Sequence, residues 1–471
     1  MKIPFISLLA TLGSAFAAQV NILGINDMHA DIDNLPQLAT FLKAERAADP
    51  DVLLLSAGDN RTGNPYVDTG DTPGLAMIQL MNKLGFDAST FGNHEFDSGL
   101  AILRSCLGAA NFPFICANVA ATDGEPLKVA PYCIFERDGV RIGVLGLVQT
   151  GENGLPDAHP DKCKGLQFRS PFTTVQDYAD LRRKCDVLIL LTHLGFEDDL
   201  KLAKLFPEAD AIVGGHSHTR VDKEHREGDV IVTQTENKVK YITRLTFEVE
   251  NGKVLSKKSE LIPLRHLEKD ADMQAAVDKV KNNPFMLRRL TTVSTPIKHR
   301  EGLGCLMADA MRAAVGTDIA IVNIGGVRQD SFPAGPFCVA DCYRLDPFGN
   351  KIVTLKLTGR ELIDFLNAVP SSDHHGAPCV SGMRYKATKP AGELKAMQIT
   401  EITLADGTPI DPEATYTMAT NSYLMSTNPV LPADPGTTQP LDGADALMKY
   451  LENKPAIDYS STSRVEVTIL P

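Results

Sequence analysis

Through the first half of the chain, short aliphatic and β-branched runs alternate with amphipathic stretches, and this alternation narrows the fold more than any other sequence feature. Residues 20–25, 52–56, 142–148, 187–191 and 211–213 have the length and composition of buried strands. Between them, residues 35–46, 74–84, 175–184 and 198–205 carry apolar residues at helical spacing. Strand–helix alternation builds layered α/β domains in which helices cover a largely parallel sheet. Asp138-Gly139 and Asn251-Gly252, each flanked by strand-like residues, predict two hairpins. A helical pattern over residues 267–282 reads as a linking helix. Beyond Asn283-Pro284 a second unit runs to Pro471, with helices expected near 303–315, 359–367 and 444–451. The expected organisation is a domain over 20–265, a linker over 266–284 and a smaller α/β domain over 285–471.

A chain of 471 residues has room for two or three such domains. Its formal charge of −12 argues against a nucleic-acid polymer as partner, because that binding depends on cations facing phosphates. A small anionic substrate stays compatible if a bound metal reverses the local field. At the start, Lys2, an apolar stretch over 3–12 and Ala15-Phe16-Ala17 form a signal-peptide pattern over residues 1–17. The mature protein is therefore expected to be exported and soluble, in a periplasm or outside the cell. No later apolar run approaches the ~18–20 residues that cross a bilayer. The nine cysteines are an odd number with no C-x-x-C spacing. Cys338 and Cys342 read as structural or bridging residues, and His374-His375 as a solvated pair in a polar loop. The oligomeric state has no sequence signature.

Acidic residues, histidines and one asparagine recur directly after the apolar runs. They are Asn26-Asp27-Met28-His29, Gly58-Asp59-Asn60, Gly92-Asn93-His94-Glu95-Phe96-Asp97, Thr192-His193, and Gly214-Gly215-His216-Ser217-His218. Loops at the carboxyl ends of parallel strands are where α/β sheets bind ligands. Carboxylates, imidazoles and one amide oxygen form a donor set for Zn, Mn, Co or Fe, and not for an all-oxygen Ca or Mg cage. Two such ions ~3.5–4 Å apart can clamp the attacking and leaving oxygens of a phosphoryl displacement.

These five motifs resemble the calcineurin-like metallophosphoesterase signature. Asn323-Ile324-Gly325-Gly326-Val327-Arg328 and Asp346-Pro347-Phe348-Gly349-Asn350 extend the resemblance to the two-domain 5′-nucleotidase family. The resemblance implies a layered αββα domain followed by a nucleotide-binding α/β domain. It implies two divalent ions, Zn, Mn or Co, bridged by Asp59. Asp27, His29 and His218 complete one site; Asn93, His193 and His216 complete the other. A metal-activated hydroxide attacks phosphorus in line, while His94, oriented by Asp97, serves the departing oxygen. Arg328, in the loop that begins at Asn323, meets phosphate, Phe348 stacks on the base, and Asn350 contacts the base edge. Arg300 corresponds to a second phosphate-facing arginine, in a segment one residue shorter than the family's. The family's Gly-Gly-Asp-Gly-aromatic stretch is replaced by Asn428-Pro429-Val430-Leu431-Pro432. That leaves Tyr423 either to form the second wall of the base site or to pack against a strand. Ala30 stands where the family has Gly, a change expected to matter little. The implied reaction is hydrolysis of nucleoside 5′-monophosphates. Cyclic nucleotides, UDP-sugars and general phosphomonoesters are the enzymatic alternatives, and a metal- or nucleotide-binding protein the non-enzymatic one.

Overall fold

The computed structural model describes residues 17–369, 377–390 and 397–470. Residues 1–16 of the expected signal peptide and the His374-His375 pair lie outside the described residues.

The first lobe is a sandwich of two sheets. One has five strands in the order Lys253–Pro263, Tyr241–Glu250, Ala18–Ile25, Leu53–Ser56, Ala88–Ser89. The other has six, in the order His225–Glu227, Val230–Thr233, Ala211–Val213, Val187–His193, Val140–Val148, Tyr132–Arg137. Their facing sides interlock through Val20, Ile22, Leu53 and Leu55 against Val144, Ile189, Leu191 and Val213, all buried. Each fully buried aliphatic side chain contributes about 1.5–3 kcal/mol, so this seam holds the two sheets in register. Helices Leu35–Ala48, Leu75–Leu84 and Leu100–Ala109 cover the outer face of the first sheet. Segments 175–184 and Phe196–Leu205 cover the second. The layers are therefore αββα, as the alternation and the resemblance imply.

Seven strands run parallel to a neighbour and end on the same side of the sandwich. Their last residues are Ile25, Ser56, Ser89, Val148, His193, Val213 and Thr233. Both expected hairpins are present. Asp138 (φ 47°) and Gly139 (φ 74°), like Asn251 (φ 51°) and Gly252 (φ 73°), adopt the two left-handed conformations that a type I′ turn requires.

The expected linking helix forms as Ala271–Lys281, started by Asp270, whose side chain accepts from the Met273 N–H. It is not a free connector: Met273 and Val277 are buried in the first-lobe core, and Lys281 Nζ bonds Asp33 at 2.7 Å. The second lobe contains a five-stranded mixed sheet, in the order Cys379–Ser381, Ile319–Val322, Thr415–Asn421, Lys351–Thr358, Thr437–Asp442. Helices Arg300–Val315 and Gly443–Leu451 share one core with its face, and Gly359–Ala368 packs into another. All nine cysteines are single thiols. Cys338 caps helix Val339–Leu345 and Cys342 is buried within it, so this pair packs and does not bridge. Among the described residues no helix is long and apolar enough to cross a membrane.

Candidate metal centre

Five of the seven parallel strand ends carry the sequence motifs, and the sandwich brings them to one point. Asp27 Oδ1 lies 3.4 Å from His218 Nε2 and 3.8 Å from both His29 Nε2 and His193 Nε2. Asp59 Oδ2 lies 3.2 Å from His193 Nε2 and 3.9 Å from His29 Nε2 and His94 Nε2. His216 Nδ1 is 3.0 Å from Asn93 Oδ1, and the Nε2 atoms of His29 and His218 face each other at 2.9 Å. Asp27, His29, Asp59, Asn93 and His193 are buried, and His216 and His218 partly so.

The geometry fits divalent cations. His29 Nδ1 donates to the Thr62 carbonyl at 3.0 Å and His193 Nδ1 to the Ala57 carbonyl at 2.7 Å. A carbonyl oxygen only accepts, so in the neutral ring of either residue Nε2 is the bare nitrogen, and it is turned toward the carboxylates. His193 Nε2 is buried and makes no hydrogen bond among the described residues. Converging ring nitrogens and carboxylate oxygens need a positive charge between them, a proton or a metal ion. Burial disfavours the His193 imidazolium, but Asp59 and Asp27 outweigh it and raise its pKa to about 10. A metal ion would take the place of that proton. The charges are tuned accordingly. Burial raises the Asp27 carboxyl, but His218 and His193 outweigh it and lower its pKa to about 2. Burial likewise opposes ionisation of Asp59, and the surrounding imidazoles hold it well below the ordinary carboxylate range. Burial and the nearby Arg328 keep His29 neutral.

Backbone conformation at the site is costly. Asp27, His29, Ala30, Asp59, Thr62, His216 and His218 all have φ between 46° and 81°. A left-handed L-residue is disfavoured by roughly 1–2 kcal/mol, and such strain collects where function overrides it. Ala30 (φ 52°) carries a cost that the family's Gly would avoid. Close approach explains the neighbouring glycines: a Cβ on Gly92 would stand 2.2 Å from Asp59 Oδ1.

His94 Nε2 lies close enough to His29 and Asp59 to join them around an ion, but its second nitrogen meets a carboxylate where those of His29 and His193 meet carbonyls. Nδ1 donates to Asp97 Oδ2 at 2.8 Å, and Asp97 Oδ2 also accepts the Thr62 hydroxyl at 2.7 Å. Burial disfavours the imidazolium, but Asp59 and Asp97 outweigh it and raise the His94 pKa above the ordinary value. With Nδ1 committed, Nε2 is the atom that can give up a proton to the site.

The second lobe reaches in with two of its predicted residues. Arg328 Nη2 stands 3.4 Å from both ring nitrogens of His29. The Phe348 ring stacks on His94 with centroids 5.8 Å apart at 28°, and Arg328 lies 5.7 Å from the Phe348 centroid. The structure places the remaining four as follows. Arg300 opens helix Arg300–Val315 and pairs with Asp330 through Nε at 3.0 Å and through Nη2. Asn323 accepts from Asn421 Nδ2 within the second lobe. Asn350 is half-buried before strand Lys351–Thr358. Tyr423 donates its hydroxyl to Asp157 Oδ1 at 2.9 Å.

Sequence reading missed several supporting residues. Glu95 accepts from the N–H groups of Gly92, Asp59 and Asn60 and so fixes the Asp59 turn; burial lifts its pKa to about 7. Asp157 offers its carbonyl to Asn93 Nδ2 at 3.0 Å, which turns Asn93 Oδ1 toward the centre. Asn237 bonds His218 Nδ1. Asp157 and Asn237 follow Val148 and Thr233, the two parallel strand ends that no motif marked, and that position is the signal that could have found them.

Comparison with known proteins agrees with this geometry. The calcineurin-like phosphoesterase family matches residues 20–220, and the 5′-nucleotidase C-terminal domain matches residues 277–432. A 5′-nucleotidase of Vibrio cholerae is 30% identical over 395 residues, covering 71% of this chain and 70% of that protein. The trifunctional nucleotide phosphoesterase of Bacillus subtilis is 30% identical over 468 residues, covering 86% of this chain. This chain spans only about a third of that relative, 32% of its length. The crystal structure of a 5′-nucleotidase precursor from Thermus thermophilus superposes with a TM-score of 0.84 at 26% identity, covering 96% of this chain and 100% of that one. With both domain families matched in order and a relative aligned over most of its own length, the chain belongs to the 5′-nucleotidase family of metal-dependent phosphoester hydrolases.

Proposed function

We propose that the protein is an exported dinuclear-metal phosphohydrolase that converts nucleoside 5′-monophosphates to nucleoside and phosphate. The observation that carries this reading is the meeting of Arg328 and Phe348, from the second lobe, with the Asp/His cluster of the first. In this reading Asp27, His29 and His218 hold one ion, Asn93, His193 and His216 the other, and Asp59 is shared. Zn, Mn or Co suits that mixed nitrogen and oxygen donor set. Bound ions supply activation of water and neutralisation of phosphoryl charge.

The protein's own residues do the rest. Arg328 presents a guanidinium fork to the phosphoryl oxygens, a geometry that lysine cannot copy. Water oxygen bonds to phosphorus as the bond to the 5′-oxygen breaks, and His94 Nε2 gives that oxygen its proton. Asp97 holds the imidazolium through Nδ1. Phe348 offers a face to the base. Export rests on Lys2, the apolar segment and Ala15-Phe16-Ala17; a protein recovered only from the cytosol with residues 1–17 still attached would refute it.

A second reading, a phosphoesterase less selective for the base, is favoured by Tyr423, whose hydroxyl is engaged with Asp157. Phosphate release from AMP, a cyclic nucleotide, UDP-glucose and an aryl phosphate separates the two. AMP-selective release that stops on chelation and returns with Mn or Zn supports the nucleotidase. Equal release from all four substrates supports the second reading, and chelator-resistant release rejects both. Base stacking is tested separately. Phe348→Ala is expected to raise KM for AMP about 5- to 150-fold, corresponding to ~1–3 kcal/mol of stacking, and to leave KM for an aryl phosphate within about twofold. Equal shifts for the two substrates would remove Phe348 from base recognition.

A further inference from the structure

The loop after strand Val230–Thr233 is the most strained segment next to the metal centre that no motif explains. Glu236 (φ 65°), Lys238 (φ 54°) and Val239 (φ 50°) are left-handed within four residues, and a β-branched residue there is a true outlier. The loop is fastened on several sides. Lys238 N–H donates to the Asp27 carbonyl at 2.9 Å, and Glu236 N–H to the Thr219 carbonyl at 3.1 Å. The Glu236 carbonyl accepts from Asn26 Nδ2 at 2.8 Å, while Asn26 Oδ1 accepts from both the N–H and the hydroxyl of Thr235.

This fastening delivers the Asn237 side-chain amide to His218 Nδ1 at 3.0 Å. His29 and His193 have their tautomers set by main-chain carbonyls, which no substitution at those positions can remove. His218 alone among the three depends on a side chain. As placed, the amide turns Nδ2 to the imidazole and leaves Oδ1 buried with no hydrogen-bond partner among the described residues. Amide oxygen and nitrogen are exchanged by a half-turn, and the half-turned amide lets Oδ1 accept from Nδ1–H. His218 Nε2 is then bare, like those of His29 and His193, and faces His29 Nε2 at 2.9 Å.

We propose that Asn237 is a positioning residue for the Asp27–His29–His218 site: its carbonyl oxygen holds the Nδ1 proton of His218 and so directs Nε2 to the cation. This rests on the dinuclear reading above. Partners of this kind around metal-bound histidines typically control affinity by 10–100-fold.

The test compares Asn237→Leu, which keeps volume without an acceptor, with Asn237→Asp, which keeps the acceptor. Stoichiometry and affinity for Mn and Zn are measured by chelator competition on the full chain, alongside the melting temperature of the metal-free proteins. Asn237→Leu is expected to lose about 10–100-fold in affinity for one ion and retain the other, while Asn237→Asp stays near wild type. If the Leu variant does not fold, Asn237→Ala carries the same expectation. Wild-type affinity in the Leu variant, or equal loss in the Asp variant, overturns the assignment. A wild-type protein that binds no divalent ion overturns the dinuclear reading as well.

Discussion

Replacing His94 with Asn lowers kcat by roughly 100- to 10,000-fold, the range for loss of a general acid, while the purified protein keeps its full metal content. The expectation follows from the division of labour at the site. His94 Nδ1 is bound to Asp97 at 2.8 Å, and its Nε2 is 3.9 Å from Asp59, at the edge of the cluster and under the Phe348 ring. An Asn keeps a polar group there but cannot deliver a proton. The loss should be smallest for substrates with acidic leaving groups, such as a nitrophenyl ester, because a stable phenolate departs without protonation. Parallel measurement of AMP and nitrophenyl phosphate turnover, with metal analysis of the same samples, checks it. Loss of metal in the His94 variant would instead place this residue among the ligands.

The second large effect is expected at Asp59. Asp59→Asn removes the carboxylate that stands between His193, His29 and His94, so in the dinuclear reading proposed above both ions would lose a donor at once. Lewis-acid stabilisation of phosphoryl transfer is several kcal/mol, so turnover should fall by roughly 1000-fold or more and bound metal from two ions to one or none. The substitution also removes a buried negative charge that His193 and the other imidazoles compensate. Those imidazoles then lose their counter-charge, so the metal-free variant should melt below the metal-free wild type at neutral pH, a point that thermal melting in chelator decides. Retention of both ions with wild-type turnover would show that Asp27, also within 3.8 Å of His193, is the shared group.

The central strands of the first lobe were legible because they are buried on both faces and bounded by turn residues, and the two Asx-Gly hairpins because their conformations admit few other residues. Strand Ala88–Ser89 has two residues, too few for any periodicity, and helix Leu100–Ala109 buries little of its surface, so neither shows. Segment 175–184 has helical spacing but a kink at Tyr178 that breaks it into 3-10 turns. The strand order of the second-lobe sheet depends on pairings between distant segments, which no local pattern encodes.

The same distinction holds at the site. Asp27, His29, Asp59, Asn93, His193, His216 and His218, which the structure brings together, stood out because each lies at or within a few residues of a strand's carboxyl end. The carbonyls of Thr62, Ala57 and Asp157, which orient three of those side chains, belong to main chain and leave no mark on residue type. For Tyr423 and Arg300 the sequence shows a position along the chain and not a partner: the structure bonds them to Asp157 and Asp330, pairings between distant segments that no local pattern encodes.

The left-handed residues that surround the metal centre have a consequence for the order in which the protein comes apart. None of these conformations is favourable alone, so they persist only while the sheets and the peptide hydrogen bonds around them hold. The catalytic loops are thus products of the completed sandwich and cannot seed it. As denaturant rises, they should open before the strands do, so that turnover disappears while most secondary structure remains. Bound metal, which favours only the closed arrangement, narrows that gap by mass action.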